Sequence, residues 1–529
     1  MITTRTALLG ALCATTLAAS VPAREPGPAD PGKGAVAAAH PIAAEAGAEI
    51  LALGGNAVDA AIAVSLTLGV VEPQASGLGG GGFMLIHDAA TGEVDALDFR
   101  ERAPAAYDPT ALLQDGKYDD DRGTHGALSI GVPGLLPGLL EAHKRHGSLP
   151  LDVLVAPAVR AAGEGFEVYP FLAESMASSL DMLSEDEASA ALYLEDSIFP
   201  YSVGSTFRNP ALATTLSRIP SEGAAVVHAG EGASAIAAAV QAAGGVLTAA
   251  DLDAVTVHPL ATFWSTYHGY RIVAPGSPSA GGAKILATLK LMDEHQGAAE
   301  ADSPHGLLAA ALCEVTTAAD AWVADPLATV DRSPELLLPA WQSAAQRRIA
   351  APAAAASVPR LPADVDTGKT THFSVVDAQG NFVSGTQTIN YFFGAGVSVP
   401  GLGFILNNEL ADFTFEPGHP NEPGAGKVPR SNMAPMLVYH GESCVGAIGS
   451  PRGPRIPATL VQVLMHLVDE GATLQEAVDA PRLFVDPERR RISHEDRLDA
   501  AAAQQAAARL SAAQGKEWGT SSRGAFDKF

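Results

Sequence analysis

The stretch Thr370-Thr371-His372-Phe373-Ser374-Val375-Val376-Asp377-Ala378-Gln379-Gly380-Asn381-Phe382-Val383-Ser384-Gly385-Thr386-Gln387-Thr388-Ile389-Asn390 decides how this chain folds. Thr371 to Val376 and Phe382 to Ile389 are rich in β-branched and aromatic residues, which suit a pleated, half-buried surface. Asp377 to Asn381 supplies the turn formers between them, so the stretch predicts a β-hairpin. A loop of those residues places Val376 opposite Phe382. Carried back along an antiparallel pair, the same register sets Thr370 opposite Thr388, within hydrogen-bonding reach. Cross-strand threonine pairs are common structural features, and the pairing alone assigns no role.

What precedes the hairpin sharpens it. Ala350 to Lys369 is Ala/Pro-rich with little pattern and reads as a linker, so Thr370 stands between a loose segment and a buried strand. If the Lys369–Thr370 bond is cut, Thr370 gains a free α-amine with an ordinary pKa of about 8. That amine can take the proton of its own hydroxyl, so one residue supplies nucleophile and base. On these residues alone a structural threonine pair stays open as the alternative.

Outward from the hairpin the chain mixes helix and strand. Pro41 to Val70 reads as helix, interrupted at Gly54-Gly55-Asn56, where Asn56 can cap a second helix of small apolar residues. Phe83 to Ile86 and Glu93 to Phe99 read as strands around Ala89 to Gly92. Pro133 to Val168 and Asn209 to Ala242 carry apolar residues at helical spacing. Gly403 to Leu406, Met436 to Tyr439 and Cys444 to Ile448 are expected strands, and Ile456 to Glu470 and Leu474 to Val478 expected helices. Interspersed elements without a solenoid repeat predict stacked α and β layers.

Composition narrows the function classes. The chain has 529 residues, a net charge of -26 and 47% hydrophobic residues. Such an acidic chain repels nucleic acid and anionic membranes, and its apolar content excludes general disorder. Arg5, the apolar run Ala7 to Ala19 and the small residues around Val21-Pro22-Ala23 read as a secretory signal over residues 1–23. No later apolar run suits a membrane anchor, so the expected location is periplasmic or secreted. Cys13 would leave with the signal; Cys313 and Cys444 either pair or lie buried as thiols.

Other chemistries find little support. Gly77-Leu78-Gly79-Gly80-Gly81-Gly82 lacks a phosphate loop's Gly-Lys-Ser/Thr ending and precedes a strand, so these glycines serve close backbone approach. His372, His419 and His440 are scattered, and no cluster has metal-ligand spacing. Neither a metal nor a cofactor is expected.

The chain resembles the γ-glutamyltransferase family of N-terminal-nucleophile (Ntn) hydrolases. The motifs are Gly54-Gly55-Asn56-Ala57-Val58-Asp59-Ala60-Ala61, Gly77 to Met84, Asp98-Phe99-Arg100-Glu101 and Thr370 to Asp377 with Thr388, Asn390 and Gly394. Asn407-Asn408-Glu409, Asp412-Phe413 and Gly449-Ser450-Pro451-Arg452-Gly453 complete the series. The resemblance implies an α+β fold, a four-layer αββα sandwich shared by two autoprocessed subunits. It implies cleavage at Lys369–Thr370 into a large subunit (24–369) and a small one (370–529) that stay together as a heterodimer. Thr370 matches the nucleophile and Thr388 the threonine that hydrogen-bonds it. The implied substrate is a γ-glutamyl amide such as glutathione, and the acceptor water or an amino acid or peptide. Arg100, Ser431 and Asn432 would hold the α-carboxylate, Asn390, Glu409 and Asp412 the α-ammonium, and backbone near Arg452 and Gly453 the oxyanion.

Four departures stand out. The family usually has two serines at Ser431-Asn432 and two glycines at Arg452-Gly453, so the oxyanion loop requires Arg452 to adopt a glycine-like conformation. The stretch from Asp412 to Ser431 is shorter than in lid-bearing relatives, which predicts an open acceptor side and favours hydrolysis. The chain lacks the Asp-Pro-Arg ending of its relatives, so an edge of the sheet is expected to be incomplete. Two further readings follow: an amide acylase of the cephalosporin-acylase or poly-γ-glutamate type, and an unprocessed, inert homologue.

Overall fold

In the computed structural model, Thr371–Val376 and Phe382–Thr388 pair antiparallel, with Val376 opposite Phe382 and Thr371 opposite Gln387. That is the register expected from the loop. The structure describes residue 32 and residues 34–115, 117–294, 304–350 and 369–523. The expected signal at 1–23 and linker residues 351–368 lie outside the described residues.

The hairpin forms the middle of a six-stranded sheet. Its order is Ala35–Ala38, Thr371–Val376, Phe382–Thr388, Gly81–His87, Val94–Asp98 and His258–Pro259, each antiparallel to its neighbour. A second antiparallel sheet runs Thr262–Tyr267, Tyr270–Pro275, Met436–His440 and Ser443–Ile448. Both sheets therefore interleave strands from before and after Lys369.

Alternation along the strands builds the layers. Met84, Ile86, Phe373, Val375 and Val383 face a core closed by helices Ala57–Val71, Leu135–His146, Leu151–Glu164 and Pro210–Glu222. Phe83, Leu85 and Phe382 face the other way, onto Ile272 and Leu437 of the second sheet. Helices Ala280–Glu294, Pro304–Trp322 and Ile456–Asp469 cover that sheet's far side. The result is the expected αββα sandwich. Helix Ala57–Val71 is apolar nearly all round, as a helix at the centre of a core must be. Asn56 starts it through a capping box with Asp59.

The glycine run packs as its composition suggested. A Cβ on Gly80 would lie 2.0 Å from the Thr388 carbonyl oxygen, and one on Gly79 2.0 Å from that of Ile405. Any side chain there would push the Thr388 strand away.

Several expectations need correction. Gly403 to Leu406 is not a strand; only Ser398 and Ile405 form an isolated bridge. Gly403 has φ +77, and its carbonyl accepts from Asn209 Nδ2 at 2.7 Å, which turns the chain. The stretch from Pro133 divides into two helices at Pro150, and Asn209 to Ala242 breaks at Gly223 and Gly230, both at positive φ. The expected gap at the end is filled in part: helix Ala500–Gln514 is followed by strand Gly519–Arg523. That strand pairs parallel with Arg491–Glu495, itself antiparallel to Leu483–Asp486. Cys313 and Cys444 are both buried free thiols.

Candidate active site

Thr370 Oγ1 donates to Thr388 Oγ1 at 3.4 Å, so the two threonines meet as the register requires. Thr388 is the better anchored. Its hydroxyl donates to the Lys369 carbonyl oxygen at 2.6 Å and accepts from the Asn390 N–H at 2.8 Å. With Thr370 as the second donor, that oxygen uses its one hydrogen and both acceptor sites. The Lys369 N–H returns to the Asn390 carbonyl at 2.8 Å. Lys369 Nζ lies 4.2 Å from the Phe392 ring centre. The Lys369–Thr370 peptide is thus gripped on both sides of its carbonyl.

The threonines form the floor of a cavity of about 80 Å³ lined also by Asn390, Tyr391, Glu409, Asp412, Ser431, Asn432, Met433, Gly453 and Pro454. At roughly 10–15 Å³ of such space per water, it suits a group of amino-acid size. None of residues 413–430 lines it. That short stretch instead turns inward, and the Pro429 and Arg430 carbonyls accept from Arg100 at 2.8 Å each.

Arg100 stands behind the wall. Its Nη2 donates to Asp412 Oδ2 at 2.7 Å, and its Nη1 pairs with Glu409, so four of its five N–H groups are engaged by protein. The guanidinium is fully buried and turned to these acceptors, not to the cavity. Asn390 Nδ2 reaches Asp412 Oδ1 at 3.3 Å, joining the acidic wall to the floor. Burial pushes the Glu409 carboxyl up to about 7, and Arg100 opposes that shift. Glu101, quoted above only as part of a motif, is fully buried with neither carboxylate oxygen hydrogen-bonded to another residue among those described. Burial, reinforced by Glu409, raises its pKa well above the usual range. The acids Glu409 and Asp412 thus line this end of the cavity.

Ser431 and Asn432 bring donors to the lining. An isolated bridge joins Ser431 to Ser279 just before Asn432, and the Ala280 N–H donates to the Ser431 carbonyl at 2.7 Å. Lys284 Nζ holds Asn432 Oδ1 at 2.9 Å. The loop expected to hold the oxyanion has Arg452 at φ 81, ψ 44, the glycine-like left-handed region, and Gly453 at φ 49. Gly453 lines the cavity; Arg452 does not.

Sequence reasoning missed two residues. Glu72, at the end of helix Ala57–Val71, accepts from Thr371 Oγ1 at 2.5 Å, and burial pushes its carboxyl up to about 7. Lys284 is the other. In the sequence it is one of two lysines, with Lys290, in the mostly apolar Ala280 to Leu291 stretch, and nothing there singled it out.

The profile of the family described as Gamma-glutamyltranspeptidase matches residues 43–526. The chain belongs to the γ-glutamyltranspeptidase family. The glutathione hydrolase proenzyme of Bacillus subtilis (strain 168) is 35% identical over 86% of this chain and 81% of that protein. The Acylase ACY 1 proenzyme of Pseudomonas sp. (strain V22) is also 35% identical, over 87% of this chain and 84% of that protein. Among solved structures, a cephalosporin acylase from Bacillus halodurans superposes with a TM-score of 0.81 at 28% identity, covering 90% of this chain and 88% of that one. The γ-glutamyltranspeptidase family thus includes hydrolases and acylases at similar distance, and its fold is the Ntn-hydrolase sandwich described above.

Proposed function

We propose that this is an exported γ-glutamyl hydrolase/transferase that cuts itself at Lys369–Thr370 and then uses Thr370 as its nucleophile. The observation that carries the reading is the 3.4 Å approach of the two threonine hydroxyls beneath a cavity with one acidic and one donor-rich wall. In the uncut chain Thr388 donates to the carbonyl of the bond to be broken. Thr370 Oγ adds to the Lys369 carbonyl carbon, the C–N bond breaks, and the hydroxyl proton passes to the departing nitrogen. Water hydrolyses the resulting ester. Lys369 then ends the large subunit (24–369), and Thr370 opens the small one (370–529) with a free amine. Because each sheet combines strands of the two, they stay joined after the cut.

In the mature enzyme the α-amine takes the hydroxyl proton as Thr370 Oγ attacks a γ-glutamyl carbonyl. The amine of the leaving group departs with that proton, and water or an acceptor amine releases the acyl group. Backbone N–H groups at Arg452 and Gly453 would hold the oxyanion. Asp412, with Glu409 and Asn390, suits the α-ammonium, and Ser431 and Asn432 the α-carboxylate. Arg100 can join the carboxylate by exchanging Asp412 for it, which frees Asp412 for the ammonium. The short 413–430 stretch leaves the acceptor side open and favours hydrolysis. The leader at 1–23 supports a periplasmic or secreted location.

A second reading, an amide acylase, draws support from the full-length likeness to a cephalosporin acylase. Denaturing electrophoresis with N-terminal sequencing, followed by assays on γ-glutamyl-p-nitroanilide and glutaryl-p-nitroanilide, separates the readings. Two fragments, the smaller beginning Thr370-Thr371-His372, and preference for the γ-glutamyl anilide are expected. A single intact chain would instead point to an inert homologue.

A further inference from the structure

Lys284 lies on the helix Ala280–Glu294 and is only 4% exposed. A buried ammonium is costly unless paired, so its contacts carry information. Nζ sits 2.7 Å from Asp320 Oδ1 and 2.9 Å from Asn432 Oδ1. Arg430 braces the acid, donating to the Asp320 carbonyl at 2.5 Å. The same helix start also pins the backbone beside Asn432: a Cβ on Gly281 would come 2.2 Å from the Asn432 carbonyl oxygen.

An ammonium can only donate. The Asn432 amide oxygen must therefore face Lys284, because the reversed amide would set donor against donor. Its Nδ2 hydrogens point the other way. Asn432 lines the cavity, and among the described residues nothing accepts from its Nδ2. The donors so aimed share the cavity lining with Glu409 and Asp412.

We propose that Lys284 is a positioning residue for substrate specificity: it locks Asn432 with its amide hydrogens facing the cavity, where they bind the carboxylate of the acyl group. The inference rests on the γ-glutamyl reading for the identity of that carboxylate, since a glutaryl group presents one at the same place. Where the usual family serine offers a hydroxyl that rotates freely, this chain uses an amide whose orientation a buried cation enforces.

The test uses the mature enzyme and Lys284→Met, which keeps length and removes both charge and donors. KM and kcat are measured on γ-glutamyl- and glutaryl-p-nitroanilide, and calorimetry follows L-glutamate and glutarate, which need no turnover. Loss of an oriented hydrogen bond to a carboxylate should raise KM and Kd about tenfold with kcat unchanged. In an Asn432→Ser background the Lys284→Met change should add nothing, because serine needs no orienting partner. If Lys284→Met fails to fold, K284M/D320N removes the ion pair together and is read the same way. Unchanged KM and Kd, an equal loss in the Asn432→Ser background, or a wild type that binds neither dicarboxylate overturns the proposal. A wild type that cleaves only the glutaryl anilide, with its KM still raised in Lys284→Met, overturns the γ-glutamyl reading and leaves Lys284 its role.

Discussion

Thr388 ends a strand of the six-stranded sheet and Thr370 immediately precedes the neighbouring one, whereas Asp412, Ser431, Asn432 and Gly453 reach the cavity from short turns and loops. The two regions are held by different forces. On the floor, backbone ladder bonds and alternating burial fix the register, since a slip of one residue would turn Phe373 and Val375 out of their core. In the walls, position depends on buried charges that satisfy one another: Arg100 with Glu409 and Asp412, and Lys284 with Asp320. The floor should therefore tolerate a lost side chain without moving, and the walls should not.

The sharpest test of that contrast is Thr370→Ala. Cleavage at Lys369 and turnover should vanish together, the latter by at least about 10⁴-fold, as for loss of other covalent nucleophiles. The melting temperature should hardly change, because the ladder does not involve the hydroxyl. Turnover surviving in Thr370→Ala would mean that the nucleophile is misassigned. Arg100→Met probes the walls instead. Removing the cation leaves Glu409, Asp412 and Glu101 facing one another in a buried space. Urea unfolding of that variant should show a loss of about 3–5 kcal/mol. The triple variant R100M/E409Q/D412N should recover most of the stability and none of the activity. A stable Arg100→Met would break the comparison.

The same division explains how far the sequence could be read. Hairpin register is a local property, because a loop of known length between two β-rich runs leaves one pairing, and Thr388 fell opposite Thr370 from that alone. The layer order followed from apolar periodicity in the same way. The walls depend on contacts between residues far apart in the chain. Arg100 meets Asp412 across 312 positions and Lys284 meets Asn432 across 148, and no periodicity announces such a meeting. The resemblance to a family named Arg100 and Asp412 as headgroup residues, yet did not show that they bind each other. Lys284 and Glu72 carried no motif, so only the fold reveals them. Gly403 to Leu406 misled for a related reason: its apolar pattern records burial, but a left-handed glycine bends it away from any partner strand.

Glu72 lies where the two regions join, at the end of a core helix and against the Thr371 hydroxyl beside Thr370. Its carboxyl is raised from 4.5 to about 7 by burial, with the Thr371 hydrogen bond opposing. Below the ordinary value both the folded and unfolded states carry the proton, and the group has no effect. Between there and about pH 7 only the unfolded state loses it, so stability falls as pH rises. Glu72→Gln should remove that slope. Melting temperatures from pH 4 to 8 should converge with wild type at the acid end and exceed it at the alkaline end. A parallel offset at every pH would show that the carboxyl does not titrate there. The effect should be smaller than that of Arg100→Met.

The smallest expected change comes from the Arg452-Gly453 loop, proposed to hold the oxyanion, where a wall element is held by backbone and not by charge. Arg452 occupies the left-handed region at φ 81, which costs a residue with a Cβ roughly 1–2 kcal/mol and glycine almost nothing. Arg452→Gly should thus gain about 1 kcal/mol less the entropy that glycine adds to the unfolded chain, a net of a few tenths. If the loop works through its N–H groups alone, kcat should stay within about twofold, since the substitution keeps the peptide and its preferred geometry. A kcat loss of tenfold or more in a variant of equal or greater stability would assign the work to the guanidinium. In that case even this backbone-built corner would belong with the charge-held walls, and the floor would stand alone as the part of the site fixed by β-sheet register.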